Sequence, residues 1–123
     1  MLQRFFKKIV FYFSGFKDFS LRSDTRREWS KLFPQQGKQV DIFLSVLDQA
    51  FIVPKRYQFR ILPQDTLLEL YKRSTYLSID SMQIETMVLE IEKYFEYRLN
   101  DKELSFEISV KELFIKITQK VTK

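Results

Sequence analysis

The sequence predicts an all-α fold, a helical bundle preceded by an N-terminal helical extension, and three observations lead there. Only two glycines and three prolines occur in 123 residues, too few for the tight turns of a sandwich or barrel. Charged residues are interspersed among apolar ones at helical rather than alternating spacing. Hydrophobic residues make up 45% of the chain, enough at this length to fill one core.

The extension is read over residues 1–37. Met1 to Phe13 sets Leu2, Phe5, Phe6, Ile9, Val10 and Phe13 on one helical face, with Gln3, Arg4, Lys7 and Lys8 opposite. Its apolar stretch is shorter than a membrane span of about 20 residues and is broken by basic residues. It also lacks the small-residue cleavage site of a secretory signal. Two readings stand for this basic amphipathic helix: a peripheral contact with an anionic membrane surface through residues 1–13, or packing against its own domain or a second copy. Gly15 ends it. Phe16 to Arg22 is a connector with an apolar trio in Phe16, Phe19 and Leu21. Ser23 or Asp24 is expected to cap a short helix running through Leu32, with Trp29, Leu32 and Phe33 as its apolar edge. Arg26 and Arg27 beside Trp29 lack any accompanying nucleic-acid motif, so no nucleic-acid partner is expected. Pro34 to Gly37 is the clearest break and the expected boundary of a domain over 38–123.

Charge distribution agrees with that division. Residues 1–37 hold eight Lys+Arg against three Asp+Glu, leaving thirteen of each for the remainder, so the net +5 belongs to the extension.

Within 38–123, Val40, Phe43, Leu44, Leu47 and Phe51 share one face of a helix of about three to four turns, which Pro54 stops. Tyr57, Phe59 and Ile61 alternate along Lys55 to Leu62, which predicts an extended, strand-like edge. Pro63 to Thr66 supplies a turn and cap before a short helical segment, Leu67 to Tyr71. The strongest helix start follows at Asp80: Asp80 can cap, Gln83 can reach back from N3, and Ile79 and Ile84 stand at the staple positions. Ser81 is then the first helical residue. Ile84, Met87, Val88, Ile91 and Phe95 form the buried stripe, with Glu85, Glu90 and Glu92 off it. Lys102 to Phe106 is read as a single turn. Ser109 caps a last helix whose face is Val110, Leu113, Phe114 and Ile117, with a frayed tail from Thr118.

The run Leu77-Ser78-Ile79-Asp80-Ser81-Met82 resembles the Leu-Gly-x-Asp-Ser-Leu approach to helix II of the acyl carrier protein family. The likeness continues without a gap through the Glu-rich helix to Phe95, through Leu99-Asn100-Asp101, and into Ile108-Ser109-Val110-Lys111-Glu112-Leu113, similar to that family's Thr-Thr-Val-x-x-Leu. The resemblance implies an acyl-carrier-like bundle and a non-enzymatic acyl or aminoacyl carrier. Its implied cofactor is 4′-phosphopantetheine, carried on Ser81 beside Asp80, with partner recognition along Met82, Glu85, Glu90 and Glu92. The implied partners are a phosphopantetheinyl transferase and acyl-transfer or ligase enzymes. Here Tyr76 stands where the family has Asp, Ser78 where it has Gly, and Lys72 to Tyr76 is inserted. These departures carry the second reading, an unmodified carrier-fold interaction module.

Composition bears on chemistry independently. With no cysteine and no histidine, the chain offers no disulfide, thiol nucleophile, histidine base or Cys/His metal site. Its carboxylates are not spaced as an acid–base pair, so neither an enzyme nor a bound metal is expected. A serine at the first position of a helix suits a phosphodiester, because free N–H groups and the dipole's positive end favour an anion there. A reducing cytoplasmic setting is the expected location.

Overall fold

The computed structural model describes residues 16–74, 82–99, 105 and 107–121. Among the described residues the α-helices are α1 (Arg26–Leu32), α2 (Gly37–Ala50), α3 (Leu67–Ser74), α4 (Met82–Phe95) and α5 (Val110–Val121). Short 3-10 turns occur at Lys17–Leu21 and Lys55–Tyr57, and no strand is present among the described residues. The fold is an all-α bundle. None of the described helices is long and apolar enough to cross a membrane.

The long helices form where the apolar stripes are. In α2, Val40, Phe43, Leu44 and Leu47 are buried, with Phe51 at the end continuing the stripe. α4 packs most extensively against α2, through Met87, Ile91 and Phe95, with Ile84 and Val88 half-buried at the margin. The whole apolar face of α5, Val110, Leu113, Phe114 and Ile117, is withdrawn from water. Rings join the layers: Phe43 meets Phe114 at 5.2 Å and Phe95 at 6.3 Å between centroids. Such tilted and edge-on pairs add to simple burial.

Side chains serve the starts of α1, α3 and α5, whereas α2 begins after Gln36 without a side-chain cap. Glu69 N–H donates to Thr66 Oγ1 at 3.1 Å, Glu112 N–H to Ser109 Oγ at 3.1 Å, and Arg26 N–H to Asp24 Oδ1 at 2.9 Å. Each supplies an acceptor to a first-turn donor that has none within its helix. The starts of α3 and α5 lie together. Leu67 N–H donates to Ile108 O, Val110 N–H to Asp65 O and Lys111 N–H to Pro63 O, around a single antiparallel bridge between Thr66 and Ser109.

Several expectations change. The boundary at Pro34–Gly37 does not divide the core: Phe16, Phe19 and Trp29 belong to the same buried cluster as α2, α4 and α5. Trp29 meets Phe43 at 6.1 Å and Phe114 at 5.9 Å, and its indole N–H donates to Ile61 O at 2.9 Å. Ion pairs tie the same stretch down, Arg22 to Asp65 at 2.7 Å and Arg73 to Asp18 at 2.8 Å. Of the trio, Phe16 and Phe19 are buried but Leu21 is 90% exposed, because the 3-10 turn rotates it outward.

Lys55 to Leu62 is not a strand. Tyr57 and Ile61 are buried alternately as predicted, yet the carbonyls of Phe59, Arg60 and Ile61 are taken by the side chains of Thr25, Arg22 and Trp29 instead of a ladder. The tail expected to fray from Thr118 is helical as far as Val121, with Thr118 Oγ1 donating to Phe114 O at 2.9 Å, and residues 122–123 lie outside the described residues. The helix expected over 1–13, its end at Gly15, the cap at Asp80 and most of the 102–106 turn lie outside the described residues.

Candidate functional site

The residues singled out by sequence gather on and around α4. Ser81 and Asp80 lie outside the described residues, so their side-chain geometry forms no part of the site's description. Met82 is the first residue of α4. Glu85, in the first turn, is exposed, while Glu90 and Glu92 are partly covered.

These three glutamates do not form one patch. At 3.6 residues per turn, Glu92 returns to within about 20° of Glu85 around the axis, whereas Glu90 sits roughly 140° away. Glu85 and Glu92 flank Leu89, a large apolar side chain 64% exposed. Glu90 shares the opposite shoulder with Tyr94, which lines a groove of about 250 Å³ with Asp41, Ile42, Ser45, Val46 and Gln49 of α2. Thus α4 presents two acidic margins, one beside Leu89 and one beside Tyr94. Sequence spacing had grouped the glutamates by what they avoid, the core stripe, and not by what they adjoin.

Chemically, the start of α4 is suited to an anion. First-turn N–H groups have no acceptor within a helix, and the dipole's positive end lies there. Glu85 competes for the same helix end, with its charge screened by solvent.

Two further features were not singled out from sequence. A cleft of about 510 Å³ lies between α1 and the start of α5, with Glu28, Lys31, Leu32, Gln64, Lys111 and Glu112 among its walls. Its charges are mixed in sign, and the N–H groups of Val110 and Lys111 at the adjoining helix start are already bonded to Asp65 O and Pro63 O. The other feature is Asp48, a carboxyl 2% exposed inside α2. Burial pushes it up to about 7, against the opposing hydrogen bond from Phe59 N–H. Its signal was present: Asp48 stands four residues after Leu44 and three before Phe51, a core position on the α2 stripe. Among the described residues, no cluster of three or more acidic, cysteine or histidine side chains is arranged to hold a metal ion.

No family model, curated protein or solved structure matches the chain.

Proposed function

We propose that the protein is an acyl or aminoacyl carrier, not itself an enzyme, which bears 4′-phosphopantetheine on Ser81 and presents a thioester-bound cargo to partner enzymes. What supports this reading is that α4, which opens at Met82, the residue after Ser81 in sequence, is a long helix that packs on α2 and turns acidic margins outward. That arrangement agrees with the resemblance of Leu77 to Leu113 to the acyl carrier family, with Asp80 as cap. A prosthetic arm would supply the thiol that a chain without cysteine lacks. In this reading Met82, Glu85, Glu90 and Glu92 face the transferase and the acyl-transfer or ligase enzymes, in the cytoplasm.

Intact-mass measurement tests it. Co-expression with a promiscuous phosphopantetheinyl transferase should add one phosphopantetheine mass, and Ser81→Ala should abolish the addition. A mass that stays unshifted with several transferases would sink the carrier reading.

A second reading is favoured by one observation: α3 continues through Lys72 and Arg73 to Ser74, so part of the stretch inserted relative to the family is helix. Arg73 there pairs with Asp18. In this version the fold serves as an unmodified protein-interaction module, with residues 1–13 as a peripheral membrane contact. Flotation with anionic liposomes, lost in Lys7→Glu/Lys8→Glu, would favour it.

A further inference from the structure

Asp48 holds two elements of the fold together with unequally served oxygens. Its Oδ2 accepts from Phe59 N–H at 2.9 Å, whereas Oδ1 is buried and has no hydrogen-bond partner among the described residues. The residue it holds is strained. Phe59 has a φ of 62°, a left-handed conformation that bulky side chains keep only under constraint. The constraint is two-sided, because Phe59 O accepts from Thr25 N–H at 2.8 Å, while the Thr25 hydroxyl donates at 2.6 Å to Ile61 O in the same connector. At the other end of the same connector Ile52, β-branched and exposed, has a φ of 55°.

We propose that Asp48, Phe59 and Thr25 form a protonation-controlled latch, closed while the Asp48 carboxyl carries its proton and opened when it ionises. A neutral carboxyl here leaves one hydroxyl without an acceptor. An ionised one leaves a buried charge without a partner, which is the costlier state.

Among the described residues no neighbouring charge relieves it. On α1, Arg26 lies 4.3 Å over the Phe59 ring but is engaged by Asp24. On the connector, Arg60 lies 5.4 Å over Tyr57 and donates to Phe19 O. α2 itself carries Lys38 and Asp41, and α4, packed on it, carries Glu85, Glu90, Glu92 and Lys93. Burial and the Phe59 amide are the influences that act on the carboxyl, and no side-chain charge joins them.

Water must then reach the charge, and the wall that gives way is the connector. Asp48 is locked in the hydrogen-bond ladder of α2, whereas residues 51–62 have only local turn bonds, among them Val53 N–H to Asp48 O, and release two left-handed residues on opening. Because burial holds the carboxyl near neutrality, the latch works within the physiological range.

The test uses the full chain and amide exchange at Phe59, corrected for intrinsic chemical exchange. Protection should fall about tenfold per pH unit between about pH 5 and 7 and level off above, as expected when a carboxyl ionises more readily in the open state. Trp29, the only tryptophan, donates to Ile61 O in the same connector, and its emission should shift red over the same interval. Asp48→Asn should flatten both profiles. Should that variant fail to fold, carboxyl-carbon NMR of the wild type decides: the Asp48 titration and the levelling of Phe59 protection must coincide. A carboxyl titrating below pH 5, or a pH profile that persists in Asp48→Asn, overturns the latch.

Discussion

Arg22 and Asp65, 43 positions apart, are joined by two N–H···O bonds of 2.7 and 3.1 Å, a bidentate pair that binds the N-terminal stretch to the turn before α3. Asp65 is almost fully buried and also accepts from Leu62 N–H at 2.8 Å. Removing Asp65 therefore strands both a guanidinium and a backbone donor. Asp65→Ala is expected to destabilise by about 3–5 kcal/mol in chemical denaturation. Arg22→Lys, which retains charge but loses the fork, should cost less, about 1–2 kcal/mol. A negligible loss for Arg22→Lys would show that charge alone matters.

Trp29 separates ring packing from hydrogen bonding. Trp29→Phe keeps an aromatic near Phe43 and Phe114 but removes one of the two donors to Ile61 O, the other being Thr25 Oγ1 at 2.6 Å, so a loss of about 1 kcal/mol is expected. Phe114→Ala, which empties the centre of the ring cluster, should cost about 3–5 kcal/mol. Thermal melts of the two variants distinguish the terms, and near-identical midpoints would contradict the ordering.

Gly37 opens α2 without needing to be glycine. A Cβ there would meet nothing within 4 Å, and its φ is not positive. Gly37→Ala should stabilise the protein by about 0.4–1 kcal/mol, chiefly by restricting the unfolded chain. A lowered melting temperature would refute this.

The pH dependence of global stability combines two opposite signs. Burial raises the folded Asp48 carboxyl from 3.8 to about 7, so its stabilising contribution is complete below its unfolded value and disappears as pH rises through about 7. The full effect is on the order of 4 kcal/mol. At Asp18, burial opposes ionisation, but the hydrogen bond and charge of Arg73, with Arg22, outweigh it and hold the carboxyl below 3.8. At Asp24 the side-chain hydrogen bond from Arg26 does the same against burial. Those two contribute stability above 3.8 and lose it as pH falls further. Denaturation midpoints should therefore peak at mildly acidic pH, and Asp48→Asn should exceed the wild type at pH 8 but not at pH 4.

Much of this fold was legible because its long helices carry unbroken stripes. Val40 to Leu47, Met87 to Phe95 and Val110 to Ile117 each repeat apolar residues over about two turns, so burial follows from periodicity alone. α1 has only seven residues, too few for a stripe to declare itself, and the burial of Trp29 depends on Phe43, Phe114 and Ile61 far along the chain. Alternation at Tyr57, Phe59 and Ile61 was real, but a strand also needs a neighbour to bond with, and Thr25, Arg22 and Trp29 took its carbonyls. The acidic character of α4 could be read from composition. Its division between a Leu89 margin and a Tyr94 margin required the helix to be seated on α2.

The joint beginning of α3 and α5 has a topological consequence. Residues 63–67 and 108–111 are stitched to one another, so α4 belongs to a span closed at both ends, not to a free arm. Once such a span is closed, lengthening it costs only about 0.6 kcal/mol per doubling. Extra residues on either side of α4 are thus cheap for the fold, while a single change in the stitch, at Asp65 or Ser109, loosens both of the helices that start from it.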